Sequence, residues 1–158
     1  MIETKRLSFS PWREADAEEL FRLASDPDVG PRAGWPPHKS VEESLEIINT
    51  VFNSDHVWAL VLKETSQLIG CMGYYDHNES NIGIAEGEAE VGYWIGKPFW
   101  NQGYCTEALR EMINIKDDYE TVHGAVTEAA PKVFLKYFYV NTKTGEKSGE
   151  MLATVKLG

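Results

Sequence analysis

The sequence is poor in cysteine, in long apolar runs and in basic residues. Two cysteines among 158 residues cannot build a disulfide framework or a four-cysteine zinc site, which excludes small secreted scaffolds and structural zinc domains. The longest apolar run, Val57 to Leu62, is too short to cross a bilayer. The first six residues contain no apolar signal segment, so we expect a reduced, cytoplasmic protein that does not contact the membrane.

Basic residues are outnumbered by acidic ones, 15 to 25, which gives a net charge of −10. The whole acidic excess lies in residues 1–90, which contain 17 acidic and 7 basic side chains, whereas residues 91–158 contain 8 of each. Such a surface repels a phosphate backbone, so we expect no nucleic-acid partner. The acidic part would suit a cationic partner, although solvated helix faces are the simpler explanation of these charges.

The hydrophobic pattern predicts one α+β domain over residues 1–158, with a mixed, mostly antiparallel sheet flanked by helices. Consecutive hairpins, combined with a strand–helix–strand crossover, are the basis of this prediction. The predicted strands are 6–10, 57–62, 67–75, 89–95 and 122–127. The predicted helices begin at Asp16, at Ser40 and at Gly103 or Thr106, with a short one at 131–136, and a last hairpin pairs 137–140 with 152–157.

The most informative segment is Glu90–Leu109, where a strand runs into a tight loop and a helix begins directly after Gly103. The first turn of a helix presents unpaired backbone N–H groups and the positive end of the helix dipole, so this geometry can hold phosphate. A dinucleotide-binding loop would need two further glycines. Taken alone, a glycine between a strand and a helix is more often a simple turn.

The residues of this segment resemble a known family. Tyr93-Trp94-Ile95, followed by Phe99–Ala108, is similar to the acyl-CoA loop of GNAT-superfamily N-acetyltransferases, and most similar to the Rim-like branch, the ribosomal-protein-alanine acetyltransferases. Glu3–Leu7, Gly34–Pro37 and Leu68–Gly70 match that branch in the same order. The resemblance implies a GNAT-like twisted sheet, acetyl-CoA as the donor, an amine as the acceptor and no metal.

The resemblance also implies which residues bind the donor. The strand would contact the pantetheine arm, and the loop with the first helical turn would hold the pyrophosphate through its backbone amides. The implied residues are Tyr93, Trp94, Ile95, Trp100, Asn101, Gln102, Gly103, Tyr104, Cys105 and Thr106. Lys97, Arg110, Lys132 and Lys136 are available for the adenosine phosphates, and each is equally well explained as a surface charge.

The resemblance suggests Glu90 as the base that deprotonates the amine, directly or through water, with Glu88 as the fallback. An exposed carboxylate at a strand end is the competing explanation of Glu90. Tyr137 or Tyr139 could protonate the departing thiolate, because a phenol can act as a general acid, but a packing tyrosine is the more frequent case. Cys105 lacks the histidine and aspartate that would activate a nucleophile.

Two further aromatic residues are expected at the acceptor site. Trp35 stands in the stiff loop Gly34–Lys39 and could form a wall of that site or fill the core, and Tyr74 lies in the strand before the long polar connection. The acceptor would be a protein N-terminus, a polyamine or another small amine. Monomer and homodimer both remain open.

The second motif of the family is only partly present. Glu128, Pro131 and Phe138 stand where the family has Asn, Ser and Gly. A side-chain donor to the CoA sulfur is therefore missing from its usual place. This departure supports an alternative, a catalytically impaired GNAT-fold module that binds acyl-CoA or another protein.

Overall fold

A five-stranded sheet forms the larger part of the described fold. The computed structural model describes residues 2–75, 78, 90–113, 132–140 and 147–156. The strands lie side by side in chain order, and the first four are paired antiparallel. They are β1 (Ile2–Glu3), β2 (Leu7–Pro11), β3 (Val57–Leu62), β4 (Leu68–Tyr75) and β5 (Glu90–Ile95). Compact packing divides the chain into residues 1–73 with 92–111, and residues 74–91 with 112–158.

The hairpin between β3 and β4 is confirmed. Its register pairs Leu60 with Gly70 and shifts by one residue at Val61. Ser66 closes the turn in the left-handed region, with φ 58°. Both strands are buried along most of their length, as expected for central strands whose two faces are covered.

The first helix, α1 (Ala17–Ala24), buries one stripe of small and apolar side chains: Ala17, Leu20, Leu23 and Ala24. Their spacing of three and four residues places them on one helical face. A 3₁₀ turn at Glu14–Asp16 precedes the helix. The Asp16 carboxylate accepts a hydrogen bond from the Arg13 backbone N–H at 2.9 Å. Asp16 is also the N-cap residue of α1, which confirms the predicted helix start, but its side chain makes no cap hydrogen bond to this helix.

Two further helices follow. A short helix, α2 (Gly30–Ala33), ends at Gly34, whose φ of 90° is left-handed. The predicted start of α3 (Val41–Thr50) at Ser40 is confirmed, since the Ser40 hydroxyl accepts a hydrogen bond from the Glu43 N–H at 3.0 Å. This bond satisfies one of the N–H groups that lack a partner inside the helix.

Strand β5 approaches β4 closely at Gly70. A Cβ at this position would collide with the Trp94 carbonyl oxygen and lie 3.1 Å from the Ile95 Cα. The Gly96 N–H then donates to the Ile69 carbonyl at 2.7 Å. Glycine at position 70 thus lets the two backbones meet just before the chain leaves the sheet for α4 (Tyr104–Ile113).

The second unit contains an antiparallel hairpin of β6 (Lys132–Val140) and β7 (Lys147–Lys156). The predicted helix at 131–136 is wrong, because this β-branched and aromatic stretch belongs to β6. The predicted hairpin exists, but with another register, in which Tyr137 faces Met151 and Val140 faces Lys147. The predicted strand 122–127, which would make the sheet mixed, lies outside the described residues. The α+β class is confirmed.

Candidate functional site

The loop after β5 is tied back to the end of that strand. A 3₁₀ turn at Lys97–Phe99 follows Gly96, and the Trp100 indole N–H donates to the Ile95 carbonyl at 2.7 Å. The Gln102 side-chain amide donates to the Pro98 carbonyl at 3.1 Å. These bonds join both ends of the loop and hold it in one shape before α4 begins.

Two left-handed residues turn the chain into α4. Asn101 has φ 60° and Gly103 has φ 79°, a conformation that asparagine tolerates and glycine adopts freely. Among the residues that the structure describes, a Cβ on Gly103 would meet the Arg6 Nη2 atom alone, at 3.4 Å, which is an ordinary contact. Glycine is therefore required at position 103 by the backbone angle and not by lack of space.

The N-terminus of α4 carries the donors that suit an anion. The Glu107 N–H donates to the Gly103 carbonyl at 3.0 Å, which makes Gly103 the residue that caps the helix. Thr106, considered above as the helix start, lies within the first turn. The N–H groups of Gly103 and of Tyr104–Thr106 precede the first intrahelical hydrogen bond. They can therefore donate hydrogen bonds to phosphate oxygens at the positive end of the helix dipole.

These donors border an open cleft of 580 Å³, a size within the range of small-molecule sites. Its lining combines the end of β5, the loop, the first turn of α4 and one residue of α2: Ile95, Phe99, Trp100, Asn101, Gly103, Tyr104, Cys105, Thr106 and Arg32. Seven of the ten residues expected at the donor site are thus brought together, while Gln102, Tyr93 and Trp94 lie beside the cleft in the same segment.

Arg32 is a cleft residue that sequence reasoning missed. Its guanidinium lies over the Trp100 ring, 4.7 Å from the centroid, in a cation–π contact. No local pattern marks Arg32, because the contact joins residues 68 positions apart. Lys97, which the sequence offered for phosphate, forms an ion pair with Asp28. Its pKa is raised chiefly by its hydrogen bond to Asp28.

Arg6 is the second residue that was missed. Its Nη1 donates to the Gln102 carbonyl at 2.9 Å and its Nε to the Glu107 carboxylate at 2.6 Å. The same guanidinium lies over the Tyr104 ring, 4.3 Å from the centroid. One side chain from the turn before β2 thus holds three residues of the loop and of α4.

Glu107 lies in the first turn of α4 with three hydrogen-bond donors around it. Besides Arg6 Nε, the Thr4 hydroxyl donates at 2.5 Å and the Arg6 backbone N–H at 2.8 Å. Partial burial by itself would raise the pKa of this carboxyl, but the hydrogen bonds from Thr4 and Arg6 outweigh burial and hold the pKa below its usual value. Glu107 is therefore ionised at neutral pH, and its charge is compensated by Arg6.

Cys105 does not have the properties of a nucleophile. Burial raises the pKa of its thiol to about 12, although a hydrogen bond from Tyr93 partly opposes this shift. The pKa of the Tyr93 hydroxyl is raised as well, first by burial and then by Cys105. The thiol is protonated at neutral pH, and a protonated thiol is a poor nucleophile.

Trp35 belongs to an aromatic cluster with β5. Its ring meets Trp94 edge-on, with centroids 5.7 Å apart, and lies 5.1 Å from the His38 ring. His38 is buried, and its Nδ1 is hydrogen-bonded to the Ser44 hydroxyl at 2.8 Å. Trp94 is 7% exposed, so the cluster packs the loop after α2 against β5.

The expected catalytic residues belong to the second unit. Glu90 is the first residue of β5 and Tyr137 lies in β6 opposite Met151, but both side chains lie outside the described residues. Tyr74, expected at the acceptor site, is buried near the end of β4. The roles of these three residues remain predictions.

The described residues contain neither a metal-binding cluster nor a membrane-spanning helix. No group of three or more His, Cys, Asp or Glu side chains in this part of the chain is arranged to hold a metal ion. Among the helices that the structure describes, none has the length and apolarity needed to cross a membrane.

Comparison with known proteins gives a consistent result. The model of the family described as "Acetyltransferase (GNAT) domain" matches residues 6–144. Uncharacterized N-acetyltransferase p20 of Bacillus licheniformis is 27% identical over 118 residues, which are 72% of this chain and 64% of that protein. Uncharacterized N-acetyltransferase YoaA of Bacillus subtilis (strain 168) is 24% identical over 119 residues, with the same shares. The chain thus spans under two thirds of the length of these relatives.

Solved structures agree on the fold. An acetyltransferase of the GNAT family from Bacillus anthracis has a TM-score of 0.60 and 17% identity, and the match covers 90% of this chain and 76% of that one. A Vibrio cholerae protein, whose proposed activity is that of a ribosomal-protein-serine acetyltransferase, has a TM-score of 0.58 and 22% identity over the same shares. At these identities the likeness concerns the fold.

Proposed function

Because this chain belongs to the GNAT acetyltransferase family, we propose that it transfers an acetyl group from acetyl-CoA to a primary amine in a direct, ternary-complex reaction. The observation that carries the proposal is the turn at Asn101 and Gly103, which leaves the first N–H groups of α4 bordering a cleft. This arrangement explains how a chain with a net charge of −10 can bind a multiply charged anion without a cluster of basic residues.

In this proposal, the backbone of Gln102–Thr106 binds the pyrophosphate of the donor. Arg32 lies over Trp100 at the cleft and adds a positive charge to its lining. The backbone of Tyr93–Ile95 holds the pantetheine arm, as the resemblance implies. When bound, the donor supplies a thioester carbonyl, and the chain's own residues have to orient it and move two protons.

The chemistry needs a base and a proton source. Glu90 accepts a proton from the ammonium form of the acceptor, directly or through water, and the neutral amine nitrogen then forms a C–N bond with the thioester carbon as the C–S bond breaks. Tyr137 gives its hydroxyl proton to the departing thiolate, and the second proton that the nitrogen loses on becoming an amide goes through water to the tyrosinate. The raised thiol pKa of Cys105 argues against an acyl-cysteine intermediate and supports direct attack by the amine.

The acceptor that we favour is the N-terminal amine of a protein. The resemblance to the Rim-like branch supports this choice, and the Vibrio cholerae structure has a related proposed activity. The acidic excess of residues 1–90 would equally attract a polyamine. Trp35 and Tyr74 would contact the acceptor.

A second candidate is a GNAT-fold module that binds acyl-CoA without acetyl transfer. The replacements Glu128, Pro131 and Phe138 in the second family motif favour it. The two proposals share the donor site and differ in whether Glu90 does chemistry.

Calorimetric titration with acetyl-CoA, CoA and dephospho-CoA tests the shared donor site. Saturable one-to-one binding is expected, and no binding to a folded sample would exclude both proposals. Acetyl transfer is then measured with peptides that have a free N-terminal alanine or serine, and with spermidine. Loss of a general base lowers a reaction rate about 10²–10⁴-fold. The rate of acetyl transfer by Glu90→Gln should therefore be lower than the wild-type rate by at least about 10²-fold.

The matched control is Glu64→Gln, which removes a carboxylate in the exposed turn between β3 and β4. This variant should retain the wild-type rate. Donor binding without transfer to any of these amines would favour the non-catalytic module. Transfer that is unaffected by Glu90→Gln would remove Glu90 as the base and leave Glu88 to be tested.

A further inference from the structure

Arg6 contacts the loop between β5 and α4 and the first turn of that helix. It lies one residue before β2, far from α4 in sequence, yet its guanidinium bonds the Gln102 carbonyl, bonds the Glu107 carboxylate and covers the Tyr104 ring. Arg6 is not among the residues that line the cleft at Arg32 and Trp100. It lines a neighbouring cleft of 520 Å³, which Gly103 and Thr106 also border. An anion in the cleft at Arg32 and Trp100 would therefore meet the loop and the first turn of α4, and Arg6 would act on it through them.

The bond to Gln102 fixes the direction of one peptide group. A trans peptide is planar, and its C=O and N–H point in opposite directions. Since the Gln102 carbonyl points at Arg6 Nη1, 2.9 Å away, the N–H of Gly103 points away from Arg6. Without this bond the peptide could rotate, because Gly103 has the backbone freedom to follow.

The ion pair with Glu107 has a second effect. A carboxylate in the first turn of a helix competes with an anion for the positive end of the dipole. Glu107 is held toward Thr4 and Arg6 by three hydrogen bonds, and its side chain is only 20% exposed. Arg6 thus compensates the negative charge in the first turn of α4, beside the proposed pyrophosphate site.

We propose that Arg6 is a positioning residue of the donor site, which orients the Gly103 N–H toward the pyrophosphate of acetyl-CoA and compensates Glu107. This inference rests on the proposed function, since it assumes that the anion at α4 is the donor's pyrophosphate. Arg6 acts through the loop and does not touch the donor.

The test combines affinity with a readout at Gly103. Acetyl-CoA is titrated into ¹⁵N-labelled wild-type protein and into Arg6→Ala and Arg6→Lys, followed by calorimetry and by backbone amide spectra. A misaligned hydrogen bond to a charged group should raise the Kd about tenfold or more in both variants. Lysine keeps the charge but lacks the planar fork, so it should not restore binding.

In the wild-type protein, the Gly103 amide should shift downfield at saturation. In both variants this shift should be lost, whereas the Thr106 amide should still respond. A purely structural role would lower the thermal stability without separating these two amides. The matched control is Arg22→Ala, which removes an exposed ion pair with Glu19 on α1. This variant should bind acetyl-CoA with the wild-type Kd and show the wild-type shift of the Gly103 amide.

The outcomes separate the two proposals. A wild-type protein that fails to bind acetyl-CoA overturns the proposed function and this inference with it. A wild-type protein that binds, together with Arg6→Ala or Arg6→Lys at a wild-type Kd or with a retained Gly103 shift, overturns the role of Arg6 alone.

Discussion

Replacement of Gly103 by alanine tests whether the shape of the loop determines donor binding. Gly103 has φ 79°, and within the described part of the chain an added Cβ would meet one atom, Arg6 Nη2, at 3.4 Å. The substitution therefore creates no collision, and its effect comes from the backbone angle alone. An alanine has to remain in the left-handed region at a cost, or rotate and carry the flanking N–H groups with it.

The magnitude follows from two opposing contributions. The left-handed conformation costs a non-glycine residue about 1–2 kcal/mol, while the lower entropy of the unfolded alanine chain returns about 0.4–1 kcal/mol. We expect a net destabilisation of about 1 kcal/mol, which lowers the Tm of a chain of this size by about 2–4 °C. Rotation of the backbone would also turn the amides of α4, so the affinity for acetyl-CoA should fall by about tenfold.

Thermal unfolding and calorimetric titration with acetyl-CoA are measured for Gly103→Ala and two control variants. Gly103→Asn should lose less stability and affinity than Gly103→Ala, because asparagine tolerates this conformation. Gly34→Ala places the same strain at the end of α2, where φ is 90°, and should lower the Tm without changing the Kd. If Gly103→Ala binds acetyl-CoA as the wild type does while its Tm falls, the turn does not shape the donor site and our reasoning is wrong.

Three further predictions concern the packing around the site. Gly70→Ala should destabilise the protein by about 1–3 kcal/mol in urea unfolding, because its Cβ would collide with the Trp94 carbonyl oxygen; a smaller loss than that of Gly103→Ala would contradict the close approach of β4 and β5. Burial raises the pKa of the Cys71 and Cys105 thiols to about 12, so a thiol-reactive dye at pH 8 should label unfolded protein quickly and native protein slowly, and equal rates would argue against burial. Burial also lowers the pKa of His38, with Glu43 opposing the shift. As the pH falls below the ordinary histidine pKa of about 6.5, the unfolded chain binds a proton at His38 before the folded protein does. The free energy of unfolding should therefore decrease below this pH, and the decrease should be smaller in His38→Gln.

Local patterns predict the elements that local interactions determine. Three predicted features depend on neighbouring residues, and the structure has all of them: the start of α3 at Ser40, the hairpin between β3 and β4, and the start of α4 near Gly103. The helix predicted at 131–136 failed because its periodicity is ambiguous over so short a run. In the structure, pairing of β6 with β7 overrides it.

The candidate site could be predicted only where the residues that form it are consecutive. The loop from Trp100 to Thr106 is one continuous segment, so a resemblance over a few residues was enough to find it. Arg6 and Arg32 come from the turn before β2 and from α2, and only the fold brings them to the loop. A surface arginine shows no sequence signal for such a contact, because neither periodicity nor spacing depends on it.

Net charge is therefore a poor guide to whether a chain can bind an anion. The excess of acidic residues is spread over residues 1–90, and exposed charges beyond about 10 Å are largely screened at ordinary ionic strength. In the first turn of α4, the Glu107 carboxylate is paired with Arg6, and Arg32 lies at the cleft. In the proposed site, these charged groups and the oriented backbone amides, which carry no formal charge, would act on a bound phosphate at close range. An acidic protein can in this way offer a site for an anion while its remaining surface attracts a cationic amine.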